Sequence, residues 1–222
     1  MGLRKRARPV HRPIERLERR VLFTALDPTW NGSGIQGFPF LTDLNQAKRS
    51  SVLHVAVQAD QKVLALNNHY ELSRPYRPTL YTLIRYNADG AVDTTFGTKG
   101  DGIVDVTEGT PQGIIVQDDG TILVAFANGE DRFVQARKPD GSIDTSYAGD
   151  GRFDMPAVEP PVVGSNFVHD LRIALAPNGD LYAAHAAIRQ IGIEVLPNDE
   201  GEEPIYESST RIVRLNADGS PG

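Results

Sequence analysis

From Leu26 onward, short apolar runs alternate with clusters of Gly, Asp, Asn and Pro. The runs cover residues 52–57, 62–66, 79–86, 113–116, 121–126, 133–136, 171–175 and 180–184. They are rich in Val, Ile, Leu and aromatics, the composition of half-buried strands. No stretch sustains a 3.6-residue period with caps at both ends, so the pattern predicts an all-β chain. Leu53, Val55 and Val57 fall at alternate positions, as do Leu171, Ile173 and Leu175. That period of two places each trio on one strand face, expected to pack against a neighbouring unit.

The runs repeat. Val57-Gln58-Ala59-Asp60-Gln61-Lys62-Val63-Leu64 matches Val116-Gln117-Asp118-Asp119-Gly120-Thr121-Ile122-Leu123, and both match Leu175-Ala176-Pro177-Asn178-Gly179-Asp180-Leu181-Tyr182. Gln58, Gln117 and Ala176 are spaced 59 residues apart at each step. A second hairpin turns at Asp89-Gly90, Asp140-Gly141 and Asp218-Gly219. Asp-Gly and Asn-Gly pairs predict type I′ turns, whose two central residues need φ > 0. Trp30, Phe96 and Tyr147 share one position after the second hairpin and are expected to anchor a core between units.

A fixed period of this size marks a repeat architecture, and two hairpins per unit give the four strands of a propeller blade. The expected fold is therefore tandem ~59-residue four-stranded β repeats, β-propeller-like and incomplete or open, over residues 26–222. Residues 1–25 are a separate basic segment. Three blades fall below the roughly four to eight of closed propellers. An open stack, a dimer and a piece of a longer repeat protein all remain open. So does a ring closed by the strand at Leu26–Trp30 pairing beside Asp218-Gly219. Insertions at 67–78 and 188–209, at matching places in the first and third units, predict a variable, partner-facing surface.

Spacing and motifs together resemble the delta-60 repeat family, over about residues 26–222; the nearest matches are Val116 to Leu123, Arg85 to Phe96 and Arg137 to Tyr147. The resemblance implies propeller-like repeats in large exported or surface proteins, and it carries no catalytic residues. Gln61, where a turn Gly is expected, and Pro139, beside Asp140, depart from the pattern.

Charge separates the head from the body. Residues 1–20 hold eight Lys/Arg against Glu15 and Glu18, while the whole chain has a net charge of −6. An acidic body repels a phosphate backbone, so nucleic acid is not an expected partner. Leu17-Glu18-Arg19-Arg20-Val21-Leu22-Phe23-Thr24-Ala25 resembles the N-terminal motif of a class of exported bacterial proteins, which implies export to the surface or beyond. No apolar run approaches the ~20 residues of a membrane span. Cysteine is absent, which removes disulfides, thiolate metal sites and Cys nucleophiles.

The acidic turns carry the main candidate chemistry. Asp118, Asp119, Asp140, Asp144 and Asp150 place carboxylates beside glycine, as calcium loops do, but none has the spacing of an EF-hand. The favoured reading gives these residues turn geometry and no cofactor; calcium is the alternative, in an adhesion or carbohydrate-binding propeller. His54 and His185 lie in apolar strands and are expected to pack there. His169-Asp170 is a candidate acid–base pair for a hydrolase, without a Gly-x-Ser-x-Gly elbow. Gly32-Ser33-Gly34-Ile35-Gln36-Gly37 fits a nucleotide-loop pattern, but Pro39 follows and no strand–helix unit frames it, so a turn is expected. The chain reads as a non-catalytic structural or interaction module with a protein or polysaccharide partner.

Overall fold

The computed structural model describes residues 28–35, 48–71, 78–129, 131–156, 170–195 and 202–222. The basic head, His169 and part of the Gly32–Gly37 stretch lie outside them.

Among the described residues, eleven strands form three antiparallel sheets. The first holds β1 (Lys48–Val57), β2 (Val63–Glu71), β3 (Pro78–Tyr86) and β4 (Ile103–Val106), in that order. The second repeats it with β5 (Thr110–Val116), β6 (Ile122–Asn128), β7 (Asp131–Arg137) and β8 (Arg152–Asp154). In the third, β9 (Asp170–Leu175), β10 (Leu181–Val195) and β11 (Glu202–Leu215) give three strands among the described residues. A 3-10 turn, Tyr147–Gly149, precedes β8. The molecule is all-β and propeller-like, as the period predicts. No helix among the described residues is long and apolar enough to cross a membrane.

The sheets stack in chain order because the central strands carry apolar residues on both faces. Leu64, Leu66, Leu83 and Phe96 of the first sheet meet Ile114, Ile122, Val124, Phe126 and Phe133 of the second. The alternate residues of the second, Leu123, Ala125, Val134 and Ala136, meet Leu171, Leu181, Ala183 and Leu215 of the third. The one-residue offset between Ile122 and Leu123 thus chooses the neighbour.

Two sequence expectations are corrected. The turns are not type I′. In each, glycine donates back to the residue three before it, and that residue donates to the one after glycine, as in Gly120 to Gln117 (2.9 Å) and Gln117 to Thr121 (2.9 Å). Only the last turn residue has φ > 0, for example +88° at Gly120 and +66° at Gln61, and the preceding Asp or Asn does not. This is the three-residue loop of a type I turn with a glycine bulge. Second, Val55 and Val57 do not pack on a neighbouring sheet; among the described residues the first sheet has none on that side, and a bulge between Val52 and His54 shifts the alternation. The insertion over 188–209 is built, in its described part, as the far ends of two long strands, β10 up to Val195 and β11 from Glu202.

Candidate functional site

Strand alternation sorts the connections to two ends of the stack. The six glycine or glutamine turns lie at one end, and the β2–β3, β6–β7 and β10–β11 connections lie at the other. All five candidate calcium ligands therefore fall at the turn end.

There each unit reaches into the next. After the second hairpin the chain places an aromatic ring on the following unit's Asp-Gly turn. Asn31 N–H donates to Asp89 O (2.6 Å), Gly97 N–H to Asp140 O (2.9 Å) and Ala148 N–H to Asp218 O (2.8 Å). The rings of Trp30, Phe96 and Tyr147 lie over Gly90, Gly141 and Gly219. A Cβ on Gly141 would stand 2.8 Å from Phe96, and one on Gly219 would stand 2.6 Å from Tyr147. Glycine is thus required twice over, for positive φ and for the space under the ring. Phe96 and Tyr147 are buried in the two inter-sheet cores, as expected of anchors. Trp30 latches onto the first sheet, beside Tyr86 at 6.5 Å between ring centroids, and not onto the Asp218-Gly219 turn.

Asp93 and Asp144 shape the latch loops. Asp93 Oδ1 accepts from the Thr95 N–H (3.0 Å) and hydroxyl (2.6 Å). Asp144 Oδ1 does the same for Ser146 (3.1 and 2.7 Å). Asp93 also meets Arg85 Nε at 2.8 Å and Lys62 Nζ at 3.1 Å. Burial alone would raise its pKa, but the Thr95 hydroxyl, Lys62, the Thr95 N–H and Arg85 together hold it well below the usual carboxylate range.

Beside the Phe96 latch is an open cleft of about 510 Å³ between the first and second sheets. Asp118, Asp119 and Asp140 line it, with Asp60, Lys62, Arg85, Gln58 and Gln117. The fold thus gathers three of the five candidate acids. Asp150 lies in a second cleft with Asp154 and Asp218, and Asp144 lines neither. Most of these carboxylates have local work. Asp119 Oδ1 accepts from Thr121 N–H (2.9 Å) and Asp150 Oδ1 from Arg152 N–H (3.1 Å). Asp140 Oδ1 accepts from the hydroxyl and N–H of Ser142, and these bonds lower its pKa. Calcium takes about six to eight oxygens. Among the described residues, no three His, Asp or Glu side chains come together to offer a metal site.

Of the histidines, His54 is half-buried and His185 buried in strands, as expected. Asp170 pairs with exposed Arg172 at 3.1 Å. A buried chain through His69 had no signature in the sequence. Its Nδ1 bonds Ser50 Oγ and its Nε2 bonds Thr82 Oγ1, both at 2.8 Å. Ser50 is the direct cross-strand partner of His69, and Thr82, paired with Asn67, lies diagonally across from it. The chain links hydroxyls on two flanking strands through the central one and so ties the sheet together.

At the other end, β10 and β11 run on beyond the sheet. β9 pairs with β10 only as far as Ala186, whereas the β10–β11 register continues to Val195↔Glu202. Over 188–195 and 202–209 the register joins β10 to β11, and no third strand lies beside either among the described residues. Ile193 and Ile205 are exposed there, as are Glu194 and Glu203. Gly192 pairs with Ile205 and Ile193 with Pro204, so one isoleucine sits on each face of the ribbon.

The family model described as "Domain of unknown function (DUF5122) beta-propeller" matches residues 81–96. The match runs from β3 through the Asp89-Gly90 turn to the latch residue Phe96. No curated protein matches the chain.

Proposed function

We propose that the chain is a non-catalytic interaction module of an exported protein, in which the latched sheets are the scaffold and the β10–β11 ribbon is the contact surface for a protein or polysaccharide. The two-stranded ribbon running beyond the sheet, with Ile193 and Ile205 exposed on it, is the observation that carries this reading. A strand edge offers a row of backbone donors and acceptors, which a partner can meet directly while exposed side chains such as Ile193 and Ile205 set specificity. The consumption of the turn carboxylates in capping supports a structural role for that end. The test compares the full chain with a variant in which 188–208 is replaced by Asn-Gly, copying the tight Asn128-Gly129 connection. Both are titrated against purified envelope polysaccharides and surface proteins. Binding by the full chain and its loss in the variant supports the proposal; binding that survives the replacement contradicts it.

We assign the acidic turns to geometry and not to calcium. Chelator treatment is then expected to leave the calorimetric melting temperature unchanged. A fall reversed by added calcium would return Asp118, Asp119 and Asp140 to the role of ligands.

A further inference from the structure

We propose that the cleft between the first and second sheets binds a neutral, hydroxyl-rich ligand, a sugar unit, at the end of the stack opposite the ribbon and independently of it. At about 510 Å³ the cleft falls within the roughly 300–1,000 Å³ of small-molecule sites. Gln58 lines it and is only 9% exposed. Among the described residues its side-chain amide is hydrogen-bonded at neither end: Oε1 is buried without a partner, and Nε2 donates to nothing. Buried polar side chains are nearly always paired, so an amide held in this way marks a missing partner.

The second junction shows which partner is missing. There Gln117, the counterpart of Gln58, donates through Nε2 to Ala217 O in the second turn of the next sheet (3.1 Å). The equivalent carbonyl at the first junction is Pro139 O, and Arg85 Nη1 already donates to it (2.5 Å). The second sheet has Ala136 at the position of Arg85, since each of the two carbonyls accepts from the same point after its turn, Asp93 N–H (2.9 Å) and Asp144 N–H (3.0 Å). An arginine at one position and an alanine at the other thus decide whether the glutamine keeps its protein partner. The junctions differ in charge as well. Asp118 and Asp119 line the first cleft, and their counterparts 59 residues on are Pro177 and Asn178. The unpaired amide and the acid pair therefore occur together, at one junction and not at the next.

The groups left over select the ligand. Lys62 and Arg85 are engaged by Asp93, and Lys62 also by Asp60. Capping takes Oδ1 of Asp119 and of Asp140. Oδ2 of each, and both oxygens of Asp118, have no hydrogen bond among the described residues. The cleft wall thus offers acceptors on carboxylates and a donor on Gln58. A guanidinium or ammonium ligand only donates and leaves Nε2 unmet. A phosphate or carboxylate ligand only accepts, and it meets the three carboxylates as a like charge. A hydroxyl does both, and a sugar carries several on one ring. One hydroxyl oxygen accepts from Gln58 Nε2 while its neighbours donate to Asp118 and Asp119.

The test follows the Gln58 side-chain amide signals in nitrogen-15 spectra of the full chain. Glucose, galactose, mannose and N-acetylglucosamine are each added to about 50 mM, the range of weak single-sugar binding, with agmatine as a guanidinium rival. At least one sugar should shift those signals saturably, and agmatine should not. Asp118 is exposed and makes no hydrogen bond among the described residues, so Asp118→Ala is expected to fold unchanged. It should weaken sugar binding about tenfold, the loss of one charge-assisted hydrogen bond. Asp150→Asn, in the other cleft, should leave binding as it is. The proposal is overturned if no sugar moves the Gln58 signals, if agmatine moves them and the sugars do not, or if Asp118→Ala binds as tightly as the unaltered chain.

Discussion

Asp93 concentrates the polar energetics of the molecule. It is nearly inaccessible, faces two cations and accepts from Thr95. Removing one partner of a buried ion pair costs about 3 kcal/mol, because the remaining charge stays desolvated. Asp93→Asn is expected to lose about that much at neutral pH, read from urea midpoints. Its folded pKa lies below the unfolded value of about 3.9. The stabilisation is then complete above that value and fades as pH falls from it toward the folded pKa. The gap between wild type and variant should narrow below about pH 4; a constant gap from pH 7 to pH 2 would contradict the assignment. Gln61 is the opposite case. It takes φ +66°, where its counterparts are glycine. Gln61→Gly should stabilise by about 0.5–1 kcal/mol, since left-handed backbone strains a residue with a Cβ.

At the scale of elements, the strong strands are legible because alternation and β-branched content agree over five or more residues. The short outer strands β4 and β8 are not. Ile103-Val104-Asp105-Val106 and Arg152-Phe153-Asp154 are too short and mixed to stand out from turns, and they are strands because β3 and β7 present an edge to them. The ribbon is hidden for another reason. Its polar and proline-bearing sequence reads as an insertion, and only the pairing of β10 with β11 reveals it. Asp-Gly pairs locate the turns but mislead on their type, because such a pair cannot by itself distinguish a two-residue loop from a three-residue loop with a glycine bulge. If the ribbon is an accessory carried by a finished scaffold, its replacement by Asn-Gly should leave the melting temperature within about 3 °C, the shift that about 1 kcal/mol brings to a domain of this size. A larger fall would show that it supports the third sheet.

For the molecule as a whole, the period of 59 residues foretells the architecture, and the shared aromatic position foretells the inter-sheet anchors. The direction of each latch is not written in the sequence. The motif at Trp30 suggests a strand returning to the last unit, yet it serves the first, because each aromatic meets the next turn along the chain. The candidate acids come together only in part: the two turns of the second unit share the cleft that holds Asp118, Asp119 and Asp140, while Asp150 lines another cleft and Asp144 neither.

The central claim is that latches and shared cores make the three sheets one cooperative body. Trp30, the single tryptophan, reports on the first latch, and far-ultraviolet circular dichroism reports on all three sheets. Both are followed in one urea titration of the unaltered chain. A single transition with coincident midpoints is predicted, the signature of two-state unfolding. Release of Trp30 at a lower urea concentration than the loss of sheet signal would contradict it.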